Sequence, residues 1–331
     1  MSHAVRSSLE PGAVRARWSD YLQMARLDHM TKHVFILPGL VLAYVLRDPP
    51  LANAWWSILL GFASAILIAS SNYILNEWLD RAFDAFHPDK SKRPAVHRAM
   101  SATPVYSAYA ACSLLGLLLA YRVGPVFFMV SLLFWVSGVI YNVKPLRSKD
   151  KAYLDVLSES VNNPIRMMLG WAMIDQTTVA PSSLLLAYWM GGAFLMGAKR
   201  LSEYREIAAG PGVAVLQRYR RSFEHYTEES LTISCFVYAM FSTFLIGVFL
   251  VKYRIEYVLA SPFIIFLFAH YLALSMRSGS VAQKPEKLFR EKRLMLISAA
   301  TVAALVLLSF VDLPALEGLT RPHFVTVEPT A

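Results

Sequence analysis

Charged side chains are scarce in this chain of 331 residues: Asp, Glu, Lys and Arg make up 17% of it, whereas hydrophobic residues make up 56%. Soluble domains carry roughly 25% charged residues. The low content of charge therefore argues against a soluble domain, and we expect a polytopic membrane protein.

Cysteine is nearly absent as well, with only Cys112 and Cys235, both in uncharged stretches. This argues against a disulfide framework or a cysteine metal site, and we interpret both residues as packing residues. Residues 1–12 lack an apolar core followed by a small-residue cleavage site, so no removable signal peptide is predicted.

The motifs of several common enzyme classes are also missing. The sequence contains no Ser-His-Asp spacing, HExxH, Walker A loop or GxGxxG, so hydrolase, zinc protease and nucleotide-fold interpretations lose their usual support. No zinc, helix-turn-helix or RNP pattern accompanies the net charge of +9. We therefore assign that charge to membrane orientation and an anionic ligand or leaflet, and predict no nucleic acid partner.

Apolar stretches recur along the whole chain, and most reach the roughly 20 residues that a spanning helix requires. Counting all of them predicts an all-α polytopic membrane bundle of about nine transmembrane helices. The stretches cover residues 33–46, 54–75, 102–121, 123–143, 156–174, 176–198, 230–251, 257–276 and 294–311.

Lys and Arg are concentrated in alternate connections between these stretches, and short positive loops resist translocation. We therefore predict that the N-terminus and the active site face the cytoplasm, with the C-terminus on the opposite side. The predicted organisation is an N-terminal segment (1–32), a transmembrane domain (33–311) and a tail (312–331). Trp18, Leu22 and Ala25 share one helical face near three arginines, which predicts an interfacial helix or a simple basic anchor.

The densest polar segment follows the second apolar stretch. Asn76, Asp80 and Asp84 recur every four residues, so they share one face of a helix. Such a face suits Mg²⁺, which takes one or two carboxylates and completes its shell with phosphate oxygens and water. The following Lys90 and Arg93 could neutralise a diphosphate. The alternative is a loop that only caps the helix and sets topology.

Other polar groups lie at the same predicted side of the membrane. His87 could donate to a phosphate, although a loop histidine is more often solvated. Asp155 either takes part in catalysis or only places a favourable negative charge at the N-terminal end of a helix dipole. Arg166 lies deeper within a predicted span, so its charge needs a partner, which is either a ligand phosphate or a carboxylate of the protein. Lys199 and Glu203 form either a phosphate clamp or a surface ion pair.

Downstream, helical spacing places four apolar or aromatic residues on one face among arginines. The segment predicts either a hinged lid or a connector that lies on the membrane. These residues are Leu216, Tyr219, Phe223 and Tyr226.

These motifs resemble the UbiA superfamily of intramembrane transferases, in which a nine-helix bundle surrounds a lipid-accessible cavity. The family's NDxxDxxxD motif, which binds Mg²⁺-diphosphate, is matched by Asn76, Glu77, Asp80 and Asp84, with Glu at the second position. The resemblance implies that all four bind the metal. Arg26, Lys32 and Pro38 are similar to the family's pattern around its first helix.

Two further features resemble the branch of polyprenyl-phosphate phosphoribosyltransferases typified by decaprenyl-phosphate phosphoribosyltransferase. Its HPxKxxRP continuation is matched by His87, Pro88, Lys90, Arg93 and Pro94. Its KRxxE element is matched by Lys199, Arg200 and Glu203, and a tyrosine-rich stretch and Pro285-Glu286 also look similar.

This resemblance implies a Mg²⁺-dependent membrane enzyme in which a polyprenyl phosphate displaces diphosphate from 5-phosphoribosyl diphosphate. The implied substrate contacts include Lys90, Arg93, Lys199 and Arg200, with Arg166 on the lipid phosphate. The main alternative is prenyl transfer from a prenyl diphosphate to an aromatic or quinone precursor, since both reactions expel diphosphate. A lipid or ion transporter is the alternative of another class.

Overall fold

A computed structural model of the chain describes residues 15–47, 54–87, 89–277 and 290–318, together with 279, 280, 282 and 288. These residues are almost entirely helical, with a single isolated bridge between Arg15 and Ala99, so the all-α prediction is confirmed. Pro88, Pro285 and Glu286 lie outside the described residues, as do residues 1–14 and most of the predicted tail.

The described residues form fourteen α-helices, joined by turns and by short 3₁₀ segments that include Leu27–Ile36, Lys90–Lys92, Ser148–Asp150, Arg221–Glu224 and Ile255–Ala260. The helices are α1 (Trp18–Met24), α2 (Leu37–Arg47), α3 (Ala54–Asp84), α4 (Pro94–His97), α5 (Ala102–Val123), α6 (Pro125–Asn142), α7 (Leu154–Ser160), α8 (Asn162–Ile174), α9 (Ser182–Ala209), α10 (Val213–Tyr219), α11 (Glu228–Tyr253), α12 (Ser261–Ser275), α13 (Lys292–Leu308) and α14 (Pro314–Glu317).

The chain is an integral membrane protein. Among the described residues, five helical segments are long and apolar enough to cross a membrane: Ala54–Asp84, Ala102–Val123, Pro125–Asn142, Glu228–Tyr253 and Ile255–Ser275. The total of about nine spanning helices remains a prediction, as does the side on which each terminus lies.

The predicted stretch 156–174 is not one continuous helix. It is divided into α7 and α8 at Val161. Pro164 explains the break, because proline has no N–H for a helical hydrogen bond and is tolerated only in the first turn, where α8 places it. The break brings the polar residues of α7 and the start of α8 beside the bundle's cavity.

Helices α2 and α8 approach each other closely enough to need glycine. A Cβ added at Gly39 would overlap the carbonyl oxygen of Met167, and one at Gly170 would overlap the carbonyl oxygen of Ile36. Small residues at such crossings let backbones meet in membrane bundles. Close packing at this crossing fixes α8, which carries Arg166, against the rest of the bundle.

The outside of the bundle is apolar. Leu114, Phe244 and Leu296 are among many large apolar side chains that are exposed on the described surface, as expected where lipid replaces water. On α1, Trp18 and Leu22 are exposed, while Met24 is buried and packs in a cluster with Trp78. This arrangement agrees with an interfacial helix whose apolar face is available to the bilayer surface.

Replacing Gly39 by Ala tests the α2–α8 crossing. We expect Gly39→Ala to lower the free energy of unfolding by about 2 kcal/mol or more, because the new methyl group overlaps rigid backbone. Thermal unfolding in detergent measures this. Gly247→Ala in α11 is the matched control, since a Cβ there meets nothing within 4 Å. Equal unfolding temperatures for both variants would contradict the proposed crossing.

Candidate active site

One cavity of about 480 Å³ collects the polar residues from separate parts of the sequence. Its wall is formed by the end of α3, the loop that follows it, the end of α6, the start of α8 and the second half of α9. All the site residues predicted from the sequence line it except Asp155 and Glu77: they are Lys32, Asn76, Asp80, Asp84, His87, Lys90, Arg93, Arg166, Lys199, Arg200 and Glu203.

The polar residues that recur at every fourth position of α3 point into this cavity. Asn76 donates from Nδ2 to Asn142 Oδ1 at 2.6 Å. Asp80 Oδ1 lies 2.7 Å from both Arg147 Nη2 and Lys149 Nζ. One turn further on, Asp84 Oδ2 lies 2.5 Å from Arg93 Nη1. The two carboxylates are therefore held by cations that come from two different loops.

The donor set on α3 fits a Mg²⁺ ion shared with substrate. Among the described residues, no group of three or more His, Cys, Asp or Glu side chains is close enough to form a metal site by itself. Asp80 and Asp84 supply carboxylate oxygens, and Asn76 supplies an amide oxygen at the same wall. Mg²⁺ commonly binds through one or two carboxylates and substrate phosphates, so these residues could hold it jointly with a diphosphate.

Glu77 does not belong to this set, which corrects the expectation that it binds the metal. Its side chain is 3% exposed and does not line the cavity. One residue along a helix rotates the side chain by about 100°, which turns Glu77 away from the face of its neighbour Asn76. Its Oε1 is buried without a hydrogen-bond partner among the described atoms, and Arg93 and Arg26 act on the carboxylate electrostatically.

The loop after α3 positions His87 and Lys90. His87 Nδ1 accepts hydrogen bonds from the backbone N–H groups of Asp89 and Lys90 at 3.0 and 3.2 Å. Burial, with Lys90 nearby, lowers the pKa of His87 to about 3, so the ring is neutral near pH 7. With Nδ1 occupied as an acceptor, Nε2–H is left as the donor. The histidine therefore shapes the loop whether or not it also contacts a phosphate.

Lys90 itself is held by an aromatic residue from a distant segment. Its ammonium donates to the hydroxyl of Tyr219 at 2.9 Å, and the same hydroxyl lies 3.2 Å from Glu203 Oε2. Burial lowers the pKa of Lys90 to about 8. Tyr219 thus ties the loop after α3 to the KRxxE element on α9.

Arg200 forms the buried centre of the KRxxE element. Its guanidinium is 2% exposed and pairs with three carboxylates: Asp155 at 3.2 Å, Glu159 at 3.0 Å and Glu203 at 3.0 Å. These contacts occupy all three guanidinium nitrogens. Arg200 therefore joins α7 to α9, and its expected contact with a substrate phosphate remains a prediction for the guanidinium N–H groups that these ion pairs do not use.

Asp155 is likewise structural, which corrects its assignment to substrate binding. It is fully buried and does not line the cavity. Its carboxylate accepts from Arg200 and Arg220, from Ser222 Oγ at 3.1 Å and from the Tyr226 hydroxyl at 2.7 Å. A carboxylate with this many donors anchors the chain after α10 onto the start of α7.

Lys199, adjacent to Arg200 in sequence, is not paired inside the protein as Arg200 is. It lines the cavity but forms no ion pair within 4 Å with any described carboxylate. The sequence KRxxE therefore divides into one cation available to a ligand and one used inside the protein.

The segment after α9 folds back onto the bundle. Leu216, Tyr219, Phe223 and Tyr226 are all buried in one cluster with Leu201 of α9. They do not lie on one helix, since α10 ends at Tyr219 and a 3₁₀ segment follows, but all four pack against the end of α9. Hinged movement of this segment remains a prediction.

Sequence reasoning did not single out three residues of the site. Arg147 and Lys149 contact Asp80, and Arg220 lines the cavity and pairs with Asp155. A usable signal existed in the basic connection after the fourth apolar stretch. The sequence alone does not show which loop folds back onto the acidic face of α3, so it does not connect these charges to Asp80.

Comparison with known proteins places this geometry in a family. The model of the UbiA prenyltransferase family matches residues 34–299. Protoheme IX farnesyltransferase of Alkalihalophilus pseudofirmus is 26% identical over 231 residues, which are 67% of this chain and 72% of that protein. Nodulation protein NoeC of Azorhizobium caulinodans is 26% identical over 196 residues, 59% of this chain and 61% of that protein.

Solved structures share the fold. A UbiA homologue from Archaeoglobus fulgidus bound to DMAPP and Mg²⁺ superposes with a TM-score of 0.66 at 20% identity, covering 88% of this chain and 100% of that chain. At this level of identity, the likeness shows the shared helical architecture.

The neighbours Lys199 and Arg200 make a matched pair of variants. We expect Arg200→Met to lower the unfolding free energy by about 3 to 5 kcal/mol, because three buried acids lose their common cation. Lys199→Met should leave the unfolding temperature nearly unchanged and weaken pyrophosphate binding about tenfold or more. Thermal unfolding and calorimetric titration measure both. Equal destabilisation by the two changes would disprove the division of roles.

The depressed pKa of Lys90 predicts a pH dependence. As pH rises through about 8, the ammonium loses its proton, so pyrophosphate affinity should fall, by up to about tenfold per pH unit. In Lys90→Arg the side chain stays charged, so the decrease should become shallower. Calorimetric titrations between pH 6.5 and 9.5 measure this. Superimposable profiles for both proteins would mean that another group titrates.

Proposed function

The chain belongs to the UbiA prenyltransferase family, and from this premise we propose that it is a Mg²⁺-dependent membrane transferase that displaces diphosphate from phosphoribosyl diphosphate. The acceptor in this proposal is a polyprenyl phosphate, which receives the 5-phosphoribosyl group. The cavity end of α3 holds the diphosphate, and the deeper part of the cavity receives the lipid.

The observation that carries this proposal is the surplus of positive charge on the cavity wall. Arg26, Lys32, Arg166 and Lys199 all line the cavity, and none pairs within 4 Å with a described carboxylate. These four are additional to the cations beside Asp80 and Asp84. A prenyl diphosphate carries one anionic group, whereas phosphoribosyl diphosphate and a polyprenyl phosphate together carry three. The cation surplus therefore favours the more highly charged substrate pair.

Each protein group has a role in holding these substrates. Lys90 and Lys199 both line the cavity and bind diphosphate oxygens, and Arg93 orients Asp84. When Mg²⁺ is bound by Asp80, Asp84 and the diphosphate, it supplies stabilisation of the negative charge on the leaving group. Arg147 and Lys149 orient Asp80. The protein thus contributes mainly positioning and electrostatic stabilisation.

The transfer itself does not require a strong general base. A phosphate monoester is mostly ionised at neutral pH, since its second pKa is about 6. An oxygen of the lipid phosphate forms the bond to C1 of the ribose, while the bond from C1 to the diphosphate oxygen breaks and its electron pair leaves with the diphosphate.

Prenyl transfer is the second candidate. It is favoured by the relatives, since one is named a farnesyltransferase and a solved neighbour holds DMAPP and Mg²⁺. The cavity also has aromatic walls at Phe134 and Tyr271, which could stabilise an allylic cation. The same face of α3 would bind the diphosphate in either reaction.

Two parallel reactions distinguish the candidates. Purified protein with Mg²⁺ receives either phosphoribosyl diphosphate and farnesyl phosphate, or farnesyl diphosphate and 4-hydroxybenzoate, and lipid products are identified by mass. We expect a phosphoribosylated lipid in the first reaction only. Product in the second reaction alone would reverse the assignment.

Three variants test the metal ligands in the productive reaction. We expect Asp80→Asn and Asp84→Asn each to lower the rate about 100-fold or more without loss of folding, because an amide binds Mg²⁺ far more weakly than a carboxylate does. Glu77→Gln is the control on the adjacent position and should keep the rate within about threefold. A strong loss in Glu77→Gln with full activity in the Asp variants would refute the arrangement.

A further inference from the structure

The deep part of the cavity contains a cation, Arg166, that forms no ion pair with any described residue. Arg166 on α8 lines the cavity and is 7% exposed, and its Nε is buried without any hydrogen-bond partner among the described atoms. Its guanidinium carbon lies 5.1 Å from the centroid of the Phe134 ring. A buried guanidinium normally has a carboxylate or phosphate partner, because desolvating an unpaired charge is costly.

Glu159, the carboxylate that acts on Arg166 electrostatically, does not pair with it. One oxygen, Oε2, is instead 3.0 Å from Arg200 Nη2 and accepts from the Tyr141 hydroxyl at 2.8 Å. Arg200 and Tyr141 thus hold this carboxylate on the α9 side of the cavity. Arg166 is left facing the open cavity.

The position of Asn72 on α3 gives the distance between the deep region of the cavity and the proposed metal site. It continues the face of Asn76, Asp80 and Asp84 one helical turn further in, and it also lines the cavity. With a rise of 1.5 Å per residue, Asn72 lies about 12 Å along the axis from Asp80. That spacing leaves room for one sugar ring between a diphosphate at Asp80 and a second anion at the level of Arg166.

The side chain of Asn72 suits a neutral ligand group. Nδ2 donates to the carbonyl oxygen of Phe134 at 3.1 Å, and Oδ1 is buried without a partner among the described atoms. Gly138 makes room for this amide, because a Cβ there would overlap it. The unpaired Oδ1 can accept from a sugar hydroxyl but not from an ionised phosphate. The Asn72 amide and the Arg166 guanidinium both lie beside Phe134, so they define two adjacent ligand positions.

From this arrangement we infer that Arg166 forms a second anion subsite that binds the phosphate monoester of the acceptor lipid, with the transferred sugar between it and the diphosphate. This inference rests on the proposed function. The guanidinium can donate two parallel hydrogen bonds to phosphate oxygens. It thereby holds the nucleophilic oxygen near C1, where the new C1–O bond forms as the C1–diphosphate bond breaks.

Binding measurements without turnover test the subsite. Farnesyl phosphate is titrated into the full-length protein in detergent without Mg²⁺ or donor. We expect Arg166→Gln to weaken its binding about 30-fold, while binding of Mg²⁺-pyrophosphate stays within threefold of the parent. Unchanged binding of farnesyl phosphate to a folded Arg166→Gln variant would overturn the inference.

Two further variants control for packing and for charge. Arg47→Gln removes an arginine that pairs with Asp175 at 2.9 Å and does not line the cavity, so it should leave both affinities unchanged. If Arg166→Gln fails to fold, Arg166→Lys carries the test, because it keeps the charge but loses the planar fork. It should weaken farnesyl phosphate binding at least fivefold, and parental affinity in this variant would also overturn the inference.

The result separates the subsite from the overall reaction. If farnesyl phosphate binds in an Arg166-dependent manner but no phosphoribosylated lipid forms with the parent protein, the anion subsite stands and the proposed transfer fails. If the lipid product forms at the parental rate in Arg166→Gln, the transfer stands and the subsite is refuted.

Discussion

The buried contact between Arg200 and three carboxylates is the interaction on which the rest of the site depends. It joins α7 to α9 through Asp155, Glu159 and Glu203. In a low-dielectric interior, such charges are stable only when they are paired and hydrogen-bonded. Asp155 then receives Arg220 and Tyr226 from the segment after α10. A single guanidinium thereby fixes the walls between which a ligand would bind.

The same constraint explains how the cations divide into two groups. All four of these cations line the cavity, but Arg200 and Arg220 pair with buried acids, whereas Lys199 and Arg166 form no ion pair with a described carboxylate. The paired cations stabilise the protein, and the unpaired ones create a positive field in a region of restricted solvent access. A field of this kind attracts anionic substrates. Paired and unpaired cations are therefore direct neighbours in sequence, as Arg200 and Lys199 show.

The polar face of α3 relates these two groups to the proposed chemistry. Its four residues at intervals of four, Asn72, Asn76, Asp80 and Asp84, follow the cavity from its deep part to its mouth. The carboxylates near the mouth suit a metal ion and diphosphate, and the amides deeper in suit neutral groups. In the proposed reaction, one helix thus orders the ligand groups along its axis, and Arg166 on α8 provides the proposed anion subsite at the deep end.

The sequence by itself determined the helical membrane class and the α3 face, because lack of charge and a spacing of four residues depend only on local periodicity. It also placed Lys199 and Arg166 among the candidate ligand contacts. Only the tertiary structure decided that Glu77 turns away from the cavity, that Asp155 and Arg200 are paired internally, and that Arg147 and Lys149 reach Asp80. Which charges pair depends on which loops fold onto one another, and this long-range information is not contained in the spacing of residues along one helix.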